Sequence, residues 1–291
     1  MIKFKRLPDL NKRLVASLSI AAIFAFLIAF SWHPWVGMLM VLGAALLAVV
    51  GIWEYVQLAR TKDLKPATKL MMGIAFCEVI IFVLSQKNPS LALLPLAILL
   101  IGLVGFFIFH FRESSDALLN VAVEFFGVCY VAFPICFMLG VLYPETHHTV
   151  GQDGRWWLGY LIAVTKMTDM GGYFVGKLWG KHKLAPILSP KKTIEGAIAG
   201  FFCAVGTSML IYLLGKHFSQ GMFDLAFADS IWLGMLIGVM GQVGDLAESL
   251  LKRDAVVKDS NALPGIGGVL DLLDSLLLTA PIVYLFLRMR T

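Results

Sequence analysis

Nine apolar runs, each near the length of a bilayer crossing, leave this chain few ways to fold. They cover roughly residues 14–32, 36–58, 69–86, 91–110, 118–143, 156–176, 194–214, 231–251 and 269–287. A helix needs about 20 apolar residues to cross the hydrocarbon layer. With 59% hydrophobic and 15% charged residues and a mean hydropathy of +0.82, a soluble globular protein is excluded. The expectation is an all-α polytopic integral membrane protein with about nine transmembrane helices. The first run is too long for a signal-peptide core and lacks a small-residue cleavage site, so it reads as a retained helix.

The connections alternate in charge. Eighteen of the 24 Lys and Arg fall on one set of segments, five on the other, and Lys166 lies inside a run. Basic loops stay in the cytoplasm, so the N-terminus and the richest basic loops are expected inside, in the cell membrane. Arg288 and Arg290 count against that orientation. Because the basic residues sit at span ends, the net charge of +5 gives no reason to expect nucleic acid. Cys77, Cys129, Cys136 and Cys203 all fall within expected spans, which argues against a disulfide framework and against a CxxC metal site. Residues 1–150 read as a scaffold, in which Glu54, Glu78 and Glu124 are isolated buried acids, and 151–291 as the catalytic region. The His147-His148 pair reads as part of a solvated loop.

Charge inside the last fifty residues needs a reason, since a charged side chain in lipid costs about 2.5–3.5 kcal/mol. Asp245, Glu248, Ser249 and Lys252 stand at i, i+3, i+4 and i+7 and share a helix face. Asp271 and Asp274 share another at the start of the final run. A helix rising 1.5 Å per residue sets Asp245 about 10 Å below Lys252, near the depth of that start. The three aspartates are therefore expected to converge as ligands for Mg²⁺, with room for a second cation, since hard cations take carboxylate oxygens. Lys252, Arg253, Lys258, Lys191 and Lys192 ring the same face and suit a triphosphate. Gly265, Gly267 and Gly268 would let backbone approach phosphate. Glu248 and Asp259 are equally explained as partners of Lys252 and Lys258.

A second polar stretch spans 166–196. Gly172, Gly176 and Gly180 recur every four residues, the small-residue face on which membrane helices pack closely. That leaves Lys166 and Asp169, and the turn Ser189-Pro190-Lys191-Lys192-Thr193, unexplained by packing. Ser189 and Thr193 are candidate caps of the next helix, whose free amides favour anions.

Two ordered blocks resemble one family. Ser249-x-x-Lys252-Arg253-x4-Lys258-Asp259, then Leu263-Pro264-Gly265-Ile266-Gly267-Gly268-x-x-Asp271-Leu272-x-Asp274-Ser275, is similar to the signature of the phosphatidate cytidylyltransferases. So is Asp169-x3-Tyr173-x2-Gly176-x3-Gly180-Lys181-x2-Leu184-x4-Ser189-Pro190-Lys191-Lys192-Thr193-x-Glu195-Gly196. Ile266 and Leu272 stand where the pattern has His and Arg. The resemblance implies CTP and phosphatidate as substrates, CDP-diacylglycerol and pyrophosphate as products, membrane lipid as milieu and a homodimer. It implies catalytic roles for Asp245, Asp271, Asp274 and Lys252. Substrate contacts are implied for Lys191, Lys192, Ser189, Thr193, Arg253, Lys258, Asp259, Asp169, Tyr173, Gly267 and Gly268. From the residues alone, transfer to another lipid phosphate, cation transport by the buried acids and a non-catalytic relative stay open.

Overall fold

A computed structural model describes residues 22–112, 115–144, 152–257 and 268–290. Helix α1 (22–29) leads to α2 (Pro34–Arg60), α3 (Thr68–Lys87), a 3₁₀ turn (Pro89–Leu91), α4 (Leu94–His110), α5 (Ala117–Leu142) and α6 (Gly154–Trp179). A hairpin of β1 (Lys183–Ala185) and β2 (Ser189–Thr193) precedes α7 (Ile194–Phe218), α8 (Phe227–Asp254) and α9 (Val269–Met289). Among the described residues, seven helical segments are long and apolar enough to cross a membrane: α2, α3, Pro89–His110, α5, α7, α8 and α9. Helix α6 has the length, 26 residues, but carries Arg155, Lys166, Asp169 and Lys177. Of the run expected at 14–32, residues 14–21 lie outside the described residues, and the rest forms α1 and the turn that follows it. The protein is an all-α integral membrane protein with one small hairpin.

That hairpin replaces the turn expected at 189–193. Lys183 pairs with Thr193 and Ala185 with Ser189, antiparallel. Strand pairing satisfies backbone groups that would otherwise lack partners where the chain leaves helical structure.

Helices α2, α3 and α5 pack together with α4 against α3, and α6, α7 and α8 form a second group; α9 touches both. The ends of α2, α6 and α8 meet the starts of α3, α7 and α9 at one pole. There Lys62 bridges Asp254 at 2.8 Å, and Arg253 Nε donates to the Leu188 carbonyl at 3.1 Å. At the opposite pole Arg288 donates to Gln86 Oε1 at 2.9 Å and Arg290 pairs with Asp229 at 2.6 Å. The two C-terminal arginines are thus held by partners on that side. Asp153, the N-cap of α6, pairs with Arg155 at 2.6 Å and accepts from Trp32 Nε1 at 3.3 Å. Burial works against its ionisation, but hydrogen bonds from Arg155 and Trp32 prevail and hold its carboxyl below the usual carboxylate range.

Two of the three buried acids singled out in the scaffold, Glu54, Glu78 and Glu124, have a plain structural task. Glu124 accepts from the Ala67 amide at 2.6 Å and meets His110 Nε2 at 2.9 Å, fixing the α2–α3 loop against α4 and α5. Glu54 reaches α9. Glu78, on α3, is buried with Oε2 lacking a hydrogen bond among the described residues. The four cysteines are free.

Candidate functional site

Helices α6 and α7 form the most extensive helix pair, and glycine makes it so. A Cβ at Gly196 would lie 2.6 Å from the Gly172 carbonyl oxygen, and one at Gly200 2.7 Å from that of Thr168. The backbones therefore touch directly, as the four-residue glycine repeat predicts. The Thr193 hydroxyl accepts from the Gly196 amide at 3.1 Å, capping α7 as expected. Glu195 takes the His182 amide at 3.2 Å and meets His182 Nδ1 at 2.7 Å, which pins the base of the hairpin.

This arrangement leaves a cavity of about 520 Å³ between α6, α7, α8 and the hairpin. Asp169, Tyr173, Lys191, Lys192, Thr193 and Asp245 line it. Lys192 Nζ lies 2.6 Å from Asp245. Lys177 sits over the Tyr173 ring, 5.6 Å from its centre. Gln242 donates to the Ala197 and Gly238 carbonyls at 3.1 and 2.8 Å, tying α8 to α7 beside the cavity.

The start of α9 meets the cavity's Asp169 from behind the lining. The Ser275 hydroxyl lies 3.0 Å from Asp169 Oδ2 and 3.1 Å from Asp274 Oδ1, so one hydroxyl joins two carboxylates. Asp274 is within electrostatic reach of both Asp245 and Asp169. Lys166, the charge that packing left unexplained, lies 3.7 Å from Asp169 and donates to the Leu272 carbonyl at 3.4 Å.

Asp271 faces elsewhere. It accepts from Lys252, whose ammonium also meets Glu248 at 2.6 Å, and it folds back to accept from the Gly268 amide at 3.0 Å. The convergence expected of Asp245, Asp271 and Asp274 is thus divided. Asp245 and Asp274 gather with Asp169, while Asp271 belongs to a neighbouring triad with Lys252 and Glu248. No three His, Cys, Asp or Glu side chains among the described residues stand close enough to hold one metal ion in this arrangement. The Gly268 amide is turned toward Asp271 and not toward the cavity. Glu248 pairs with Lys252, one of the two explanations its spacing allowed.

Arg253 lies outside the cavity and holds the hairpin loop through Leu188. Ser189 opens β2 rather than capping α7. Lys258, Asp259, Gly265, Ile266 and Gly267 lie outside the described residues. Lys177 and Lys183, not foreseen as site residues, also line the cavity. Lys177 follows Tyr173 by one helical turn, a spacing that could have pointed to it.

Chemically, the cavity presents lysine ammoniums beside carboxylates at the polar pole of a membrane bundle. That suits phosphate oxygens, and hard cations paired with them. The family model for the cytidylyltransferase family matches residues 11–290. The chain is 36% identical over 285 residues to a phosphatidate cytidylyltransferase of Chlamydia pneumoniae, covering 96% of this chain and 92% of that protein. To the one from Synechocystis sp. it is 32% identical, over 93% of this chain and 94% of the relative. To one from Staphylococcus aureus it is 29% identical, over 86% and 90%. The chain belongs to the cytidylyltransferase family.

Proposed function

We infer that this protein is a membrane-embedded CTP:phosphatidate cytidylyltransferase that makes CDP-diacylglycerol for phospholipid synthesis. A phosphate oxygen of phosphatidate attacks the α-phosphorus of CTP, the bond from that phosphorus to the β-bridging oxygen breaks, and pyrophosphate leaves. The nucleophile is already anionic, so the protein's work is to position charge and neutralise it. The observation that carries this reading is the 520 Å³ cavity in which lysines 177, 183, 191 and 192 meet Asp169 and Asp245. Lysines on the hairpin and α6 hold phosphate oxygens, and the opening between helices admits a lipid from the side.

The donor chemistry suits Mg²⁺, which takes one or two carboxylates together with substrate phosphate oxygens: Asp169, Asp245 and Asp274 offer only hard oxygen, and Ser275 lies against two of them. Asp271, held by Lys252 in the adjoining triad, stands outside this set in the arrangement described. A bound divalent cation would supply neutralisation of the phosphate charge that builds up in transfer. The basic segments gather at the pole that holds the cavity, which supports placing that pole in the cytoplasm and the protein in the bacterial inner membrane.

The test uses purified protein in detergent with phosphatidate, Mg²⁺ and labelled CTP or ATP in turn. A labelled lipid formed with CTP, and lost with Asp274→Asn, is the expected result. Label from ATP alone, or only on a different lipid phosphate, would refute the assignment.

A further inference from the structure

Glu54 stands alone as an acid inside an apolar helix, and the cavity gives it no role, because no α2 residue lines it. It is 1% exposed. Its two oxygens accept from the Val269 and Leu270 amides at 2.8 and 2.9 Å, across more than two hundred residues of chain. These are the first two helical amides of α9, groups for which a helix has no internal partner. Asp271, the nearest acid on α9 itself, is folded back on Gly268 and engaged by Lys252. Gly51, one turn before Glu54, permits the approach. A Cβ there would stand 2.8 Å from Val131 Cγ1 and within 3.9 Å of Val269 and Leu270.

We propose that Glu54 is a positioning residue for cytidylyl transfer. By clamping the first turn of α9 from α2, it fixes where Asp271 meets Lys252 and where Asp274 meets Ser275 and Asp169. The inference rests on the function proposed above. One planar carboxylate holding two successive amides restrains both translation of the helix start and rotation about its axis. A single bond would leave the rotation free, and rotation is what would swing Asp271 and Asp274 off their partners. The negative charge also offsets the positive end of the α9 dipole. Substrate phosphate is therefore drawn to the lysines and not to this helix end.

The experiment compares Glu54→Gln and Glu54→Leu with the wild-type full-length protein in detergent. Gln keeps the size of the side chain, but it loses the charge and turns an N–H toward one of the two amides. A misplacement of about 1 Å can lower turnover about 100-fold, so kcat of Glu54→Gln should fall by about 10- to 100-fold. The KM values for CTP and phosphatidate should stay within about threefold, because the phosphate-binding lysines are untouched. Hydrogen exchange should quicken across 268–276 and stay at the wild-type rate in α6 and α7. Glu54→Leu should be worse on every measure. Wild-type kcat in Glu54→Gln would overturn the proposal. So would a loss of kcat accompanied by faster exchange throughout the bundle, which marks a role in stability alone. A wild-type protein that makes no CDP-diacylglycerol would sink the functional reading instead. The exchange arm would then still decide the clamp, since unchanged exchange over 268–276 in Glu54→Gln refutes it.

Discussion

Alanine at Gly196 should separate α6 from α7, and the same change ten residues on should not. A Cβ at Gly196 would lie 2.6 Å from the Gly172 carbonyl oxygen, 3.0 Å from Thr193 Oγ1 and 3.1 Å from Gly176 Cα. Two of these neighbours are backbone and cannot rotate away, so the helices must move apart. Overpacking of this kind costs about 1–3 kcal/mol. At Gly206, also on α7, a Cβ meets nothing within 4 Å. There, alanine should add the roughly 1 kcal/mol that separates the two residues in helix propensity. That propensity gain is common to both variants, so the difference between them isolates the packing cost. At about 2–4 °C per kcal/mol, their melting temperatures should differ by roughly 2–12 °C. Thermal unfolding in one detergent, followed by tryptophan fluorescence, measures it. The displaced helix start carries Thr193 and Lys192 with it, so Gly196→Ala should also raise the KM for CTP. Equal melting temperatures for the two variants would refute direct backbone contact between α6 and α7, and with it the positioning of the cavity.

Three shorter tests follow. Asp274→Asn should lower turnover by about 100-fold or more while the protein purifies as wild type, if the carboxylate acts in a preorganised electrostatic site; a residual rate near wild type would remove it from the reaction. Chelating divalent cations should stop product formation and Mg²⁺ should restore it, as checked by the labelled-lipid assay. Asp153 titrates below its unfolded value of 3.8. Its stabilising contribution is therefore complete above that value and is lost as pH falls through the lower folded value, a loss that Asp153→Asn should not show in acid unfolding.

What the sequence discloses here, it discloses through period and charge. Apolar length predicts α2, α3, α5, α7, α8 and α9, and the glycine period predicts the tightest interface. Asp169, Tyr173, Lys191, Lys192, Thr193 and Asp245, expected together from the sequence, line one cavity; Asp169 and Asp245 stand out as charges inside helices, and Lys191, Lys192 and Thr193 through the polar stretch that precedes α7. What stayed hidden depends on side-chain direction and on long-range contact. Asp271 and Asp274 share a helix face by spacing. Yet Asp271 folds back on the Gly268 amide while Asp274 leans to Ser275, and no spacing rule separates those choices. The hairpin was invisible because a three-residue and a five-residue strand carry almost no alternation. Glu54 read as a lone buried acid, because its partners are amides far along the chain. Amides have no sequence signature.

The pairing of lysines with the site's acids balances charge within the cavity, and it can be separated from catalysis. Lys192 and Asp245 are 25% and 29% exposed, so neither is fully solvated, and each limits the cost of the other's charge. Removing one partner of a buried pair leaves an uncompensated charge, which in full burial costs about 3–5 kcal/mol. At this exposure roughly 1–2 kcal/mol is the expected loss for Lys192→Met. Neutralising the remaining acid with Asp245→Asn should recover most of it, so the double variant should melt above Lys192→Met. Activity should not follow. If Lys192 holds a phosphate oxygen through a charge-assisted hydrogen bond worth about 1.5–3 kcal/mol, its loss lowers kcat/KM for CTP about 10- to 100-fold. The double variant also lacks a carboxylate of the site and should be slower still. Stability and turnover therefore move in opposite directions from the single to the double variant. A double variant no more stable than Lys192→Met would mean that the two charges are independently solvated, and the cavity would then need some other source of cohesion.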